Sequence, residues 1–309
     1  MRTKKIVFAM SLAVLAAGAA QAKEGGDQYP NGAENWLAGA VPPPGDYFLN
    51  YFGYYGGKLR NGDGDKVKGT SVGAWFDALR YVHTSDFRIL GGNWGWHTIV
   101  PLVHQTLDLG GPSRSTSALG DVTVSPFILS WHTKTWHWAV AVDVNLPTGK
   151  YESGDPLRSV GANYWSVEPV FAATWMGDGG WEVSAKFMYN IKGTNNDFRP
   201  AEGAPKMDYQ SGDEFHMDYL VGKRFGEWGV GLSGYYLKQL TDDEIDGRKI
   251  AANPGVWSAG RKGEVFAIGP SVSYTTKGGV HFIGQWQRET AVTNRFGGDK
   301  VWLKLILPL

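Results

Sequence analysis

Residues 137–146, HWAVAVDVNL, alternate without interruption. Trp138, Val140, Val142, Val144 and Leu146 are apolar, while His137, Ala139, Ala141, Asp143 and Asn145 between them are small or polar. A repeat of two residues belongs to a β-strand with one apolar and one polar face. Comparable segments follow residue 45 at 46–55, 71–83, 92–105, 120–131, 135–146, 162–175, 180–192, 214–224, 227–239, 264–275, 279–289 and 299–309, twelve in all. In 214–224, Phe215, Met217, Tyr219 and Val221 oppose Glu214, His216, Asp218 and Arg224. The first three segments are less clean and carry apolar residues on both faces.

Long connections, at 106–119, 147–161, 193–212 and 240–263, alternate with short ones such as HTK, GDGG, FG and KGG. This regularity predicts an all-β fold, a twelve-stranded antiparallel up-and-down transmembrane β-barrel over residues 46–309, with long extracellular loops and short periplasmic turns. The even count puts both chain ends on the periplasmic side. Apolar faces then meet lipid, polar faces line the lumen, and the closed ladder leaves no backbone group unpaired in hydrocarbon. Trp165 and Trp175, Trp181 and Tyr189, and Trp228 and Tyr236 bracket three of the strands on the expected lipid face. These spacings suit interfacial aromatic girdles, with ordinary core packing as the alternative.

The ends and the composition agree with an exported barrel. Arg2, Lys4 and Lys5 precede an apolar run to Ala20, and Ala20-Gln21-Ala22 is a small-x-small cleavage site, so residues 1–22 read as a signal peptide. Without those three basic residues the chain keeps 27 Lys and Arg against 30 Asp and Glu, and nothing points to nucleic acid as a partner. There is no cysteine, which excludes a disulfide scaffold. Abundant glycine, 43 residues, and 14 each of Trp, Tyr and Phe favour a barrel over a helical enzyme.

Chemistry-bearing motifs are sparse. No phosphate-binding loop, nucleophile elbow or His-Glu-x-x-His is present, and no metal or cofactor is expected. In NGDGDK, Asn61, Asp63 and Asp65 imitate the start of a calcium loop, but Lys66 replaces the turn glycine and Val72 the bidentate glutamate. The strand phases assign twelve polar side chains to the lumen: Asp143, Glu168, Glu182, Lys186, Lys192, Glu214, His216, Asp218, Arg224, His281, Gln285 and Glu289. Acids and bases are interleaved among them, which argues against a strongly ion-selective pore. They read either as a charge-balanced network or as a solute path. Residues 23–45 precede the first strand and carry Trp36, Leu37 and Val41, which suit a periplasmic segment that either plugs the lumen or stays disordered. Pro101, Pro126, Pro169 and Pro270 fall inside strands, where bulges that shape the wall explain them; a kink opening laterally to the membrane is the alternative. A twelve-stranded lipid hydrolase needs a His–Ser pair on its outer wall. His137, His216 and His281 phase inward, whereas His97 and His104 lie in a mixed segment that does not place them.

Several short motifs occur in a characteristic order: Glu34-Asn35-Trp36, Pro42-Pro43-Pro44-Gly45, Leu90-Gly91-Gly92, Gly120-Asp121, Pro147-Thr148-Gly149, Gly161 to Trp165, Ser211-Gly212-Asp213, Gly234-Tyr235-Tyr236 and Asn294-Arg295. With these the chain resembles the outer-membrane family of meta-pathway phenol-degradation proteins, barrels associated with aromatic catabolism. The resemblance implies a Gram-negative outer-membrane channel that takes up small hydrophobic or aromatic compounds without chemistry. Its implied partners are that solute, outer-membrane lipid and lipopolysaccharide, and the barrel-assembly machinery. A narrow general or polar-solute porin is the alternative, with an outer-membrane lipid hydrolase behind it.

Overall fold

The computed structural model describes residues 27–309; the expected signal peptide, residues 1–22, lies outside the described residues. Twelve strands form the barrel: β1 Gly45–Arg60, β2 Thr70–Ile89, β3 Gly92–Leu109, β4 Val122–His132, β5 Trp136–Leu146, β6 Ser166–Met176, β7 Trp181–Lys192, β8 Glu214–Phe225, β9 Trp228–Gln239, β10 Glu264–Thr275, β11 His281–Thr293 and β12 Arg295–Pro308. Each pairs antiparallel with its sequence neighbours, and β1 closes the ring against β12 from Tyr47↔Pro308 to Arg60↔Arg295. This is the all-β up-and-down barrel that the alternation predicts.

The strand interiors match the sequence pattern better than their ends do. β1, β2 and β3 run past the segments read from the sequence, and the long connections contain sheet of their own. Arg114–Leu119 pairs with the upper half of β3, and Thr194–Phe198, Met207–Gln210, Glu244–Ile245 and Arg248–Lys249 build a separate small sheet among the long loops. The connection between β11 and β12, which the sequence leaves as residues 290–298, is the single residue Asn294 at positive φ. Its side-chain amide donates to Ser258 Oγ at 2.7 Å and Lys262 O at 3.0 Å, tying that tight turn to the preceding loop.

Polarity is inverted relative to a soluble sandwich. Glu168, Glu182, Glu214, His216 and Asp218 are almost wholly buried in the lumen. Val183, Val230, Leu232, Ile268 and Leu303 are exposed on the outside. In 137–146, Ala139, Asp143 and Asn145 face inward, and Trp138, Val140, Val142 and Val144 lie on the outer wall. Hydrocarbon is the surrounding that makes such an apolar exterior favourable. Trp165, Trp181 and Trp228 are exposed on that wall, and Trp175, Tyr189 and Tyr236 are partly so. Among the in-strand prolines, Pro126 sits where β4 slips register against both neighbours. Pro169 and Pro270 keep register and point outward.

An arginine at Val230, a lipid-facing position of β9, is expected to destabilise the barrel by roughly 2–4 kcal/mol. Urea unfolding in phospholipid bilayers of Val230→Arg against the parent chain measures it.

Candidate functional site

The lumen is occupied by the chain's own residues 27–44, which run up it from the short-turn rim, where β1 begins, toward the long-loop rim. Irregular backbone inside a barrel needs partners for its polar groups, and the inward side chains supply them. Asp218 of β8 accepts three hydrogen bonds: Tyr29 OH at 2.6 Å, Gly32 N at 2.7 Å and Glu34 N at 3.0 Å. Glu182 accepts from Leu37 N at 2.6 Å, and Gln285 donates to Gly32 O at 2.6 Å. Lys300 and Lys304 of β12 donate to the carbonyls of Asn31 and Ala33. Glu34 meets both Arg80 and the Tyr51 hydroxyl. Near the long-loop rim, Asp27 pairs with Arg295 at 2.6 Å.

Apolar anchoring accompanies these bonds. The buried Trp36 ring lies over Gly222 and Gly229, where a Cβ would come within 2.5 and 2.9 Å of it, so two adjacent strands need glycine there. Its Nε1 donates to Ser271 at 2.8 Å, and Arg224, itself bonded to Glu182, stacks on the ring at 5.1 Å. Leu37 and Val41 are half-buried nearer the short-turn rim.

The remaining lumen residues bind mainly each other. Lys192 pairs with Glu214 at 2.8 Å, Asp143 with His97 at 3.1 Å, and Glu168 accepts from Asn190 at 3.0 Å. His216 meets Asn31 at 2.9 Å, Lys186 lies 4.5 Å over the Tyr29 ring, and Glu289 accepts from Tyr55 at 2.8 Å and from Tyr235. His281 stands apart, half-buried at the short-turn rim and bonded to Thr275.

Above residues 27–30 a cavity of about 300 Å³ remains. On β2 and β3 it is lined by Val72, Ala74, Phe76, Ala78, Ile99, Pro101, Val103 and Leu107, with Gln105 the polar side chain among them. Facing them are Tyr29, Tyr55, Glu289, Arg295, Lys300 and Trp302, with Asp121 to one side. Asp121, outside the barrel strands, accepts from Gly149 N and Ala162 N, both at 2.9 Å, and burial pushes its carboxyl above the ordinary range.

Residues 56–305 match the family model described as "Putative MetA-pathway of phenol degradation". The chain belongs to that family. No curated protein matches the sequence. Among solved structures, the COG4313 outer membrane channel from Pseudomonas putida F1 is similar, with 16% identity and a TM-score of 0.73 over 92% of this chain and all of that one. The Pseudomonas putida toluene transporter TodX aligns with 11% identity and a TM-score of 0.48 over 94% of this chain and 96% of its own. At 16% identity the likeness to the COG4313 channel is one of fold.

Several family motifs converge in space. Gly120-Asp121, Pro147-Thr148-Gly149 and Gly161 meet at the Asp121 carboxylate, where Gly149 and Gly161 approach so closely that a Cβ on either would meet the other within 2.7 Å. Ser211-Gly212 is held by Asp243, which accepts from Gly212 N at 2.9 Å and from Gln239 at 2.8 Å. These motifs organise the long-loop mouth, whereas Glu34-Asn35-Trp36 docks the lumen segment. Asn61 of the calcium-like run instead accepts from the backbone of Asp63 and Asp65 at 3.0 and 2.8 Å.

Phase alone missed Arg80, His97, Lys300, Lys304 and Arg295. Lys300 and Lys304 were legible as the alternate positions to Val301 and Leu303. Arg80 and His97 were not, because β2 and β3 carry apolar residues on both faces, so their alternation is unclear in the sequence.

Truncating Asp218 to alanine removes a charged acceptor from three donors, a loss of roughly 3 kcal/mol. The expected result is hydrogen exchange at Gly32 and Glu34 about a hundredfold faster, measured with the strand amides of β8 as the internal control.

Proposed function

We propose that this protein is an outer-membrane channel through which small, uncharged hydrophobic or aromatic solutes pass without chemistry or cofactor. Residues 27–44 act as a plug seated in its lumen. The observation that carries this reading is the cavity above the plug. A channel for ions or sugars gains nothing from a largely apolar wall inside its lumen, whereas an aromatic ring gains burial there. The facing hydroxyls of Tyr29 and Tyr55 and the Lys300 ammonium offer polar groups to one side of a solute. Membership of a family linked by description to phenol degradation supports the same reading, as does a fold shared with an outer membrane channel. Lipopolysaccharide and the barrel-assembly machinery are the partners any chain of this architecture requires.

A polar-solute porin draws support from the number of lumen charges, but these are bonded to one another or to the plug rather than presented to a water path. For a lipid hydrolase, His104 does lie on the outer wall, with Nδ1 2.7 Å from Ser117 Oγ. A catalytic base is oriented by a third group. Among the described residues no carboxylate forms an ion pair with His104, and the adjacent Thr106–Ser115 pair at 2.8 Å makes the same cross-strand contact. Both read as polar pairing of neighbouring strands.

Uptake of phenol, toluene, benzoate and glucose into proteoliposomes tests the proposal. Phenol and toluene are expected to enter well above protein-free vesicles, and benzoate and glucose at their background. Ala78→Trp, which fills the cavity from the apolar wall, is expected to lower phenol uptake about tenfold. Glucose entry as fast as phenol, or uptake indifferent to Ala78→Trp, contradicts the proposal.

A further inference from the structure

Between its two rims the outer wall is largely apolar, with polar pairs on few strands: His104–Ser117 and Thr106–Ser115 beside β3, and one on β1 and β2. Asn50 Nδ2 donates to the Asp77 carboxylate on the outside of the barrel. Their direction follows from their neighbours. On β1, Leu49 and Tyr51 are buried and Phe52 and Tyr54 exposed; on β2, Ala78 is buried and Trp75 and Leu79 exposed. Asn50 stands midway along β1 between Asp46, near the short-turn rim, and Tyr54, whose ring packs 4.8 Å from Trp75 toward the long-loop rim. Asp77 is one of few charged side chains that the described strands turn outward; Arg288 and Asp299, paired in register on β11 and β12, are others.

A polar pair in this position is incompletely satisfied. A carboxylate has room for about four hydrogen bonds and an amide for as many, and hydrocarbon chains offer neither donors nor acceptors. Ionisable side chains within a membrane therefore stand against a partner or a water-filled space. Around this pair Phe52, Trp75, Leu79 and Leu102 are all more than a third exposed, so a polar centre is framed by large apolar side chains. Polar residues hold membrane proteins together in such surroundings.

We propose that this face of β1 and β2 is where a second copy of the same chain docks. The pair is complementary to itself, with a donor amide and an acceptor carboxylate side by side. All copies share one orientation across the membrane, so a two-fold axis along the bilayer normal sets Asn50 of each copy against Asp77 of the partner subunit. The reciprocal contact supplies the hydrogen bonds that lipid lacks, and the apolar frame is covered by its own image. The cavity and the plug lie on the inner side of the wall, so pairing leaves them untouched.

The chain has no cysteine, so an introduced thiol is the sole one. Leu79→Cys places it beside the pair, and Ala185→Cys places it outward on β7, across the barrel. Oxidation with copper phenanthroline in native membranes is expected to convert Leu79→Cys to a covalent dimer at least tenfold faster than Ala185→Cys. Adding Asn50→Leu and Asp77→Leu is expected to abolish that advantage while heat-modifiable migration shows an intact barrel. Cross-linking of Leu79→Cys no faster than Ala185→Cys overturns the proposal. So does cross-linking indifferent to the two leucines, or a product whose mass is that of a different protein.

Discussion

Everything inside this barrel depends on Asp218. One carboxylate on β8 receives a phenol hydroxyl and two backbone amides from a segment with no regular hydrogen bonding of its own. Buried charges persist only where they are paired or fully hydrogen-bonded, and here the donors come from the very chain that must be held. Glu182, Gln285, Lys300 and Lys304 add further bonds around the ring, so that with Asp218 four strands hold residues 27–44 in place. The cavity floor, its apolar wall and the narrowness of the lumen follow from where that segment lies.

The opposite face obeys the opposite rule. Hydrocarbon accepts no hydrogen bonds, so the outer side chains are apolar and the strands close on themselves. Two solvents meet across one layer of backbone, and the two-residue repeat is the imprint they leave. Where the lumen itself turns apolar, along β2 and β3, the imprint fades. The same loss of contrast that blurs the sequence there marks the part of the wall against which an apolar solute is proposed to sit.

This accounts for what was legible beforehand. β5 to β10 show a clear phase in the sequence, because a charged face sets them against an apolar one, as Glu168 and Phe171 or Glu182 and Val183 illustrate. β1 to β3 read as mixed, so Arg80 and His97 could not be assigned a side. The loop sheets escaped notice because strands of two to six residues show too few repeats. The place of residues 27–44 had no periodic signature at all: it is set by contacts such as Tyr29 with Asp218 and Trp36 with Gly222, between positions far apart in sequence. Only Trp36, Leu37 and Val41, apolar residues ahead of the first strand, hinted at a segment suited to the lumen.

The most direct test of a plugged lumen is single-channel conductance in planar bilayers, comparing the full chain with one lacking residues 27–44. The account predicts a nearly silent full-length protein and steady ohmic current once the segment is gone. A full-length protein that already conducts steadily, with no increase on removal of the segment, would contradict it.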